Sequence, residues 1–274
     1  MQNNLKISFI GGGNMAAALI GGLAGKLTAA ANIHVVDINA DSLAKLQQQF
    51  RVRTSSDIDA TLAGSDVIVL AVKPQQMKGV VAQLVPHING QLVLSIAAGI
   101  RAVDLSRWLK GHNAIVRTMP NTPALIGKGI TGMVATDGVS TEQRAAADAI
   151  MRAVGETVWL DDEKLIDPVT AVSGSGPAYV FYFIEAMQQA AQEMGLTAEQ
   201  GNALAISTFV GAAHLAAQSS DPVGVLRERV TSKGGTTYAA LTSMEASGVK
   251  QSIITAMKAA AARGQALGEE FGQD

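Results

Sequence analysis

Short, mostly apolar runs alternate with longer segments of helical periodicity through the first half of the chain. The apolar runs, each a predicted strand, are residues 6–10, 33–36, 67–72, 92–96, 114–118, 133–135 and 157–159. The predicted helices of this half are residues 14–27, 41–50 and 141–154. Residues 67–72 are apolar at every position, as is typical of a strand in a parallel sheet covered by helices on both faces. The alternation therefore predicts an α/β fold built on a doubly wound parallel sheet.

The second half of the chain shows helical periodicity only. The predicted helices are residues 178–194, 198–218, 223–230, 236–246 and 249–269, and no strand is predicted after Trp159. Thr197 and Gln200 have the spacing of a capping box, in which each side chain bonds the backbone N–H of the other. A polar stretch at residues 161–164 separates the two patterns. We therefore predict an α/β domain over residues 1–162 and an all-α domain over residues 163–274.

Composition narrows the classes of function that such a fold serves. Of the 274 residues, 48% are hydrophobic and 16% are charged, and 21 basic and 23 acidic residues give a net charge of −2. No basic run stands out, which argues against a nucleic-acid partner, and no apolar run is long enough to cross a membrane. The chain has no cysteine, so thiol chemistry is excluded and a cytoplasmic location is expected. The histidines lie outside the motifs, and we predict no metal site.

A glycine-rich segment follows the first predicted strand and opens the first predicted helix. Its sequence, Gly11-Gly12-Gly13-Asn14-Met15-Ala16, fits the pattern G-x-G-x-x-A of dinucleotide-binding Rossmann folds. The first glycine allows the tight turn, the second lets the backbone approach a pyrophosphate, and the small third residue lets helix and strand pack closely. Unpaired N–H groups at the helix N-terminus favour the anion. We predict cofactor contacts at residues 11–15; the alternative is an ordinary glycine turn.

Asp37 ends the second predicted strand, where an acidic side chain typically bonds the ribose hydroxyls and repels a 2′-phosphate. This position favours NADH over NADPH, although both remain candidate cofactors. No arginine adjoins Asp37 in the sequence, and Lys45 and Arg51 are the nearest candidates to hold a 2′-phosphate. The alternative interpretation of Asp37 is a turn aspartate.

Two further segments lie just past predicted strands, at the edge where open α/β sheets bind their ligands. One is Ala71-Val72-Lys73-Pro74, and the other contains Ala97 and Ala98. The small side chains of the second segment leave room for a flat ring such as nicotinamide. Both segments are predicted cofactor contacts, although Lys73 also fits a solvated loop lysine.

Three polar, glycine- or proline-rich segments are candidates for the second ligand. They are Met119-Pro120-Asn121-Thr122-Pro123, Ser173-Gly174-Ser175-Gly176-Pro177 and Thr231-Ser232-Lys233-Gly234-Gly235-Thr236-Thr237. The last two each precede a predicted helix, so their backbone N–H groups and hydroxyls are expected to hold a carboxylate. The alternative is helix capping and close helix packing alone. Together they indicate a small anionic substrate.

These motifs, in this order and spacing, resemble those of the pyrroline-5-carboxylate reductase family, and the match runs from about Lys6 to Arg263. The resemblance implies reduction of 1-pyrroline-5-carboxylate to L-proline by NADPH or NADH. It also implies an N-terminal Rossmann domain, an all-α C-terminal dimerisation domain, and homodimers that often assemble further, into decamers. The first motif alone is common to many dinucleotide-binding proteins, whereas S-G-S-G-P-A-Y with S-K-G-G-T-T is specific.

The resemblance also assigns site residues by position. Thr236 and Thr237 match the residues that hold the substrate carboxylate and ring nitrogen, and Glu163 matches an acidic residue near the substrate. Ser232 and Gly235 belong to the same substrate-binding segment, and Thr237 is the predicted catalytic residue. Two positions depart from the family pattern. Arg229 stands where relatives often carry asparagine, and residues 57–58 lack an asparagine that relatives often place near the adenosine.

Reduction of a cyclic imine is consistent with these residue types. A protonated imine carbon is already electrophilic, so the protein mainly has to hold it against the nicotinamide, without a strong acid or nucleophile. The rival enzyme class, β-hydroxyacid dehydrogenases, needs a proton-transferring group, usually a lysine soon after a glycine-rich helix start. The predicted helix 178–194 has no lysine. A dinucleotide sensor is the other alternative, and it has no need of a carboxylate site.

Overall fold

The computed structural model describes residues 4–273, and within them it contains one eight-stranded sheet. Its strands are β1 (Ile7–Ile10), β2 (Ile33–Val36), β3 (Arg53–Ser55), β4 (Val67–Leu70), β5 (Leu92–Ser95), β6 (Ile115–Met119), β7 (Gly129–Ala135) and β8 (Gly155–Trp159). The helices of its first half are α1 (Asn14–Leu23), α2 (Ala40–Phe50), α3 (Pro74–Leu84), α4 (Ala102–Trp108) and α5 (Thr141–Arg152). After the sheet come α6 (Ile166–Val169), α7 (Gly176–Glu193), α8 (Ala198–Gln218), α9 (Val223–Arg229), α10 (Thr236–Ala246) and α11 (Val249–Gly272). The predicted α/β fold followed by helices is confirmed.

The strand order is β3-β2-β1-β4-β5-β6-β7-β8, so the chain builds outwards from β1 in one direction and then returns to build in the other. β1 pairs in parallel with both β2 and β4. The order therefore reverses between β1 and β4, and the crevice outside the carboxyl ends of strands at such a point is where open α/β sheets bind ligands.

The expectation that every strand is parallel is wrong for the last two strands: β8 is parallel to β7, and β7 runs antiparallel to β6. The connection between them is residues 120–128, most of it a 3₁₀ turn at Thr122–Ile126. A parallel crossover requires a dozen or more residues and usually a helix, which this connection cannot supply. β8 then returns parallel to β7 after the crossover through α5.

Besides the single turn of α6, three elements were not predicted from the sequence. β3 is a short polar strand at the edge of the sheet, α3 begins at Pro74, and α4 spans only Ala102–Trp108. One predicted helix also ends early: α1 stops at Leu23, since Gly25 takes a φ of +74° that ends regular helix. The helices α3 and α4 follow β4 and β5 and cover the face of the sheet opposite α1.

Two hydrophobic cores lie on opposite faces of the sheet, and alternate residues of the same strands fill them. Phe9 and Val69 belong to the core under α1, α2 and α5, whereas Ile10 and Leu70 belong to the core under α3 and α4. β1, β4 and β5 are buried along their whole length, which explains why their sequences are almost wholly apolar.

The chain divides into two compact units, one ending at Ser175 and resuming at Ala259, the other formed by Gly176–Lys258. The predicted boundary lies earlier, between residues 162 and 163, and stays a prediction. The segment 163–175 packs on the sheet: a Cβ added to Gly132 of β7 would lie 2.7 Å from Cγ1 of Val169 in α6. The end of α11 also belongs to the first unit, where the Gly272 carbonyl accepts a 2.6 Å hydrogen bond from Arg107 Nη2.

The second unit consists of α7 to α10 and the first part of α11. The capping box is confirmed: Thr197 Oγ1 accepts from Gln200 N, and Gln200 Oε1 accepts from Thr197 N. The rings of Phe183 and Phe209 pack 6.4 Å apart between α7 and α8. This unit nevertheless leaves large apolar side chains exposed, among them Phe181, Tyr182, Leu204, Val210 and Leu215.

Of the helices that the structure describes, none combines the length and the apolar character that crossing a membrane requires.

Candidate active site

The carboxyl ends of three parallel strands, β1, β4 and β5, are level with one another at one edge of the sheet, and β6 continues two residues beyond them. Ile10 of β1 pairs with Leu70 of β4, Leu70 with Ser95 of β5, and Ser95 with Arg117 of β6. The loops that follow these strands therefore emerge side by side. A cleft of about 620 Å³ lies where the order of the strands reverses, and its lining includes Gly11, Gly13, Asp37, Ala71, Val72 and Lys73, all six predicted as cofactor contacts.

Gly11, directly after β1, contacts both neighbouring strands: β2 at Val36 and the end of β4 at Ala71. Its N–H donates to Val36 O at 2.8 Å, its φ is +104°, and a Cβ added there would lie 2.6 Å from Ala71 O. Both the backbone angle and the close approach exclude a side chain. The first glycine of the motif is therefore required by the protein's own backbone.

Gly13 differs from Gly11 in both respects. Its φ is −72°, which other residues adopt readily, and an added Cβ would meet no protein atom within 4 Å. Gly13 precedes α1, which no side chain caps, whereas Asn39 caps α2 and Ser140 caps α5. The N–H groups of the first turn of α1 thus face open space without a side-chain acceptor. Such a helix start suits a phosphate group.

Asp37 is held in a fixed orientation at the cleft. Its Oδ2 accepts from Gly12 N at 2.6 Å and its Oδ1 accepts from Asn39 N at 2.8 Å. Asp57 also lines the cleft, and Lys73 is the one basic residue among the described lining residues. Neither Lys45 nor Arg51 is among them. Two carboxylates at this end favour hydroxyl groups over a 2′-phosphate.

The other predicted cofactor residues lie around this cleft but not in its lining. Gly12 donates to Asp37, Asn14 is the first residue of α1, Met15 packs on the adjoining core, and Pro74 is the first residue of α3. Ala97 is buried in the core under α3 and α4, and Ala98 is half-buried beside it. These two residues lie in the loop between β5 and α4, which ends at Ala102.

The side chain of Glu163 contacts Ala102, the first residue of α4. Its Oε1 accepts from Ala102 N at 2.7 Å and from Arg117 Nη1 at 2.7 Å. The side chain of Arg117 is only 4% exposed, and its Nη2 lies 4.0 Å from Asp167 Oδ1. Burial raises the pKa of Asp167, an effect that Arg117 opposes and Glu163 reinforces. Sequence reasoning named Glu163 but missed Arg117, whose signal was a charge in an otherwise apolar strand.

The predicted substrate loop of the second unit begins α10. Gly234 has a φ of +74°, and Gly235 N donates to Ser232 O at 3.0 Å, which closes a turn just before the helix. Gly235 precedes the helix, and no side chain caps it. Thr236 and Thr237 are the first two helical residues, the former exposed and the latter half-buried. The turn thus resembles the start of α1 in leaving its first N–H groups without a side-chain acceptor.

Arg229, at the end of α9, is held by a neighbouring acid. Its Nη1 donates to Asp221 Oδ2 at 2.5 Å, and the two form an ion pair at the surface of the second unit. Arg229, which stands where relatives often carry asparagine, therefore has an ion-pair partner within the chain.

The segment at 173–177, which leads into α7, is itself largely helical. Thr170–Gly174 form a π-helical turn in which Ser175 N donates to Thr170 O at 2.8 Å, and Ser173 Oγ donates to Val169 O. The Ser175 N–H is not free to bind an anion, because this wider turn already uses it. Asn121 of the proline-rich loop donates to Ser173 O at 3.2 Å, so this loop braces the turn.

Among residues 4–273 there is no group of three or more histidine, aspartate or glutamate side chains placed to hold a metal ion.

Two family models match the chain. The model described as pyrroline-5-carboxylate reductase dimerisation matches residues 163–267, and the model described as NADP oxidoreductase, coenzyme F420-dependent, matches residues 6–99. The two matches fall on the substrate loop and the glycine loop, respectively.

Relatives match over the full length. The pyrroline-5-carboxylate reductase of Pseudomonas aeruginosa is 45% identical over 98% of this chain and 98% of its own. A solved structure of the Coxiella burnetii pyrroline-5-carboxylate reductase is 39% identical, with a TM-score of 0.91 over 97% of this chain and 99% of that one. A Plasmodium falciparum pyrroline carboxylate reductase with NADP bound is 29% identical, with a TM-score of 0.88 over 98% and 100% of the two chains.

The two outer glycines of the first loop give a matched test. We expect Gly11→Ala to lower the Tm, since the added Cβ meets the Ala71 carbonyl and the residue is left at positive φ. Gly13→Ala is expected to keep the Tm of the parent and to weaken dinucleotide binding by about tenfold or more, because its methyl enters the space left for the pyrophosphate. Thermal denaturation and NADH titration measure the two effects. Unchanged NADH affinity in folded Gly13→Ala contradicts this placement of the pyrophosphate.

Proposed function

The chain belongs to the pyrroline-5-carboxylate reductase family, and we propose that its two compact units divide the reaction into cofactor binding and substrate binding. The protein is an NAD(P)H-dependent oxidoreductase that reduces 1-pyrroline-5-carboxylate to L-proline, the last step of proline biosynthesis. The geometry that carries the proposal is the uncapped start of α1 beside Gly13, within a cleft where the order of the strands reverses.

The first unit fits a nicotinamide dinucleotide. The open space at Gly13 and the free N–H groups of α1 suit the pyrophosphate, and the oriented Asp37 carboxylate suits the adenosine ribose. Gly11 and Gly12 shape this loop, Asn14 and Met15 begin the helix behind it, and Ala71 to Pro74 form the adjoining wall. We assign the nicotinamide to the small residues Ala97 and Ala98.

The second unit supplies the substrate contacts in this proposal. The backbone N–H groups of Thr236 and Thr237, at the uncapped start of α10, suit the substrate carboxylate. The hydroxyl of Thr237 then serves as the hydrogen-bond partner of the ring nitrogen. Ser232 and Gly235 close the turn that sets this helix start. Because Asp221 already pairs with Arg229, we give that arginine a supporting role in this unit and no direct role with substrate.

The reaction requires a protonated imine and a hydride donor at a fixed distance. When bound, the nicotinamide supplies the hydride to C5, and the electron pair of the C=N bond becomes the lone pair of the secondary amine. The protein has to orient the ring, exclude water and stabilise the iminium charge, a task for which the Glu163 carboxylate is suited. Catalysis in this proposal therefore depends mainly on positioning the imine carbon against the hydride donor.

The assembly follows from the exposed apolar surface of the second unit. The match of residues 163–267 to a dimerisation domain supports a homo-oligomer. Side chains such as Phe181 and Tyr182, 61% and 73% exposed in the single chain, are the kind that a partner subunit covers. We propose a homodimer that assembles further, into a decamer. The cytoplasmic location rests on the composition and stays a prediction.

Turnover is the direct test of the activity. Purified protein mixed with 1-pyrroline-5-carboxylate and NADH is expected to oxidise NADH with formation of one proline per NADH, followed by absorbance and amino-acid analysis. The same protein without the imine is the control. Loss of NADH no faster than in the enzyme-free mixture would reject the activity, and would leave a dinucleotide-binding sensor as the remaining interpretation.

Thr237 gives the test of the substrate site. Thr237→Ala removes the hydroxyl and is expected to lower kcat/KM for the imine by an amount equivalent to about 1–3 kcal/mol, or about 5- to 150-fold. Thr237→Ser keeps the hydroxyl and is expected to retain most of the activity. Thr242→Ala, five residues further along the same helix, is the control. If folded Thr237→Ala turns over like the parent, the residue has no part in the mechanism.

Asp37 gives the test of cofactor choice. We expect kcat/KM with NADH to be at least equal to that with NADPH, because the carboxylate bonds ribose hydroxyls and repels a 2′-phosphate. Asp37→Asn keeps an acceptor for Gly12 N, removes the charge and is expected to shift the ratio of the two kcat/KM values towards NADPH. A strong preference of the parent protein for NADPH is the outcome that contradicts this role of Asp37.

A further inference from the structure

Arg117 is a charged residue in the interior of the sheet. It lies in β6 between β5 and β7, pairs in register with Ser95 and Val134, and is only 4% exposed. Its two preceding neighbours, Ile115 and Val116, are fully buried core residues. Burying a guanidinium at such a position costs free energy, because the charge is removed from water. A partner of opposite charge is needed to offset that cost.

That partner is Glu163, and the contact leaves the carboxylate half used. Oε1 of Glu163 takes both hydrogen bonds, one from Arg117 Nη1 and one from Ala102 N, each at 2.7 Å. No donor among the described residues bonds the other oxygen, Oε2, and the side chain is 30% exposed. One oxygen is therefore anchored from two elements of the fold, while the second remains able to accept from a ligand.

The anchoring elements are those that carry the neighbouring cofactor loops. Ala102 begins α4, which directly follows the loop of Ala97 and Ala98. Arg117 pairs in register with Ser95, the last residue of the strand before that loop. Glu163 Oε1 is thus hydrogen-bonded both to the helix that follows the loop assigned to the nicotinamide and to the strand beside that loop.

A second carboxylate faces the same guanidinium. Asp167 Oδ1 lies 4.0 Å from Arg117 Nη2, with Gly264 of α11 close beside it on the other side. The Nε of Arg117 is buried without a hydrogen-bond partner. The guanidinium therefore makes its one short bond to Glu163, which identifies that bond as the dominant contact.

We propose that Arg117 is a positioning residue for the reduction: it fixes the Glu163 carboxylate so that the free oxygen stabilises the protonated ring nitrogen of the imine. This inference rests on the proposed function, because it takes the substrate to be a cyclic iminium. Arg117 acts through Glu163 and touches neither substrate nor cofactor. Its removal should affect the same step as the loss of the Glu163 charge.

A double-mutant cycle tests the coupling. Arg117→Met and Glu163→Gln are each expected to lower kcat/KM for the imine by about 10- to 100-fold, with the KM for NADH within about twofold of the parent. The amide of Glu163→Gln keeps an acceptor for Ala102 N. In the double variant the loss should be no more than about threefold greater than in Glu163→Gln alone, since the arginine has no carboxylate left to position.

Arg152→Met is the matched control, since Arg152 pairs with Asp148 on the exposed side of α5 and a surface pair contributes little. Arg117→Lys keeps a cation and is expected to recover part of the activity; it replaces Arg117→Met in the cycle if the methionine variant does not fold. Losses that multiply in the double variant, or unchanged kinetics in a folded Arg117 variant, overturn the proposal. An inactive parent protein overturns the proposed function and this inference together, whereas an active parent isolates the result to Arg117.

Discussion

The common register of β1, β4, β5 and β6 is the constraint on which the first unit depends. Because the carboxyl ends of β1, β4 and β5 are level and Arg117 of β6 pairs in line with them, the glycine loop, the lysine-proline loop, the alanine loop and Arg117 lie along the same edge of the sheet. Gly11 tightens this arrangement, since only a residue without a side chain can approach the Ala71 carbonyl at a φ of +104°. The cleft forms where two of these loops diverge on either side of the reversal in strand order.

The N-terminal ends of α1 and α10 are suited to bind an anion for the same reason. α1 and α10 are each preceded by glycine and lack a side-chain cap, whereas α2, α5 and α8 are capped by Asn39, Ser140 and Thr197. α3, α4 and α9 also lack a side-chain cap, but the residues before them are lysine, arginine and proline instead of glycine. An uncapped helix start leaves its first N–H groups able to bind a ligand. α1 lies in the first compact unit and α10 in the second, which agrees with a division between cofactor and substrate. The predicted site residues include two carboxylates, Asp37 at the cleft and Glu163 beside the first residue of α4.

Much of this could be predicted from the sequence, because the strands are short apolar runs and the loops carry distinctive residues. The glycine loop, Asp37 and the capping box at Thr197 required only local spacing. The direction of β7 could not be obtained in that way, since it depends on the length of its connection to β6. The π-helical turn at 170–174 also escaped, because serine and glycine before a helix indicate an open turn, and only tertiary packing selects the wider turn. Arg117 was missed since its partner lies far along the chain.

Hydrogen exchange with and without NADH tests the central claim, that the level strand ends form the cofactor site. Amides of residues 11–16 and 71–76 are expected to gain protection when NADH binds, because the pyrophosphate engages the first turn of α1 and the adjoining loop closes against it. L-proline added alone is expected to protect residues 232–238 and to leave both of these segments unchanged. NADH binding that leaves residues 11–16 as exposed to exchange as in the free protein would contradict the account.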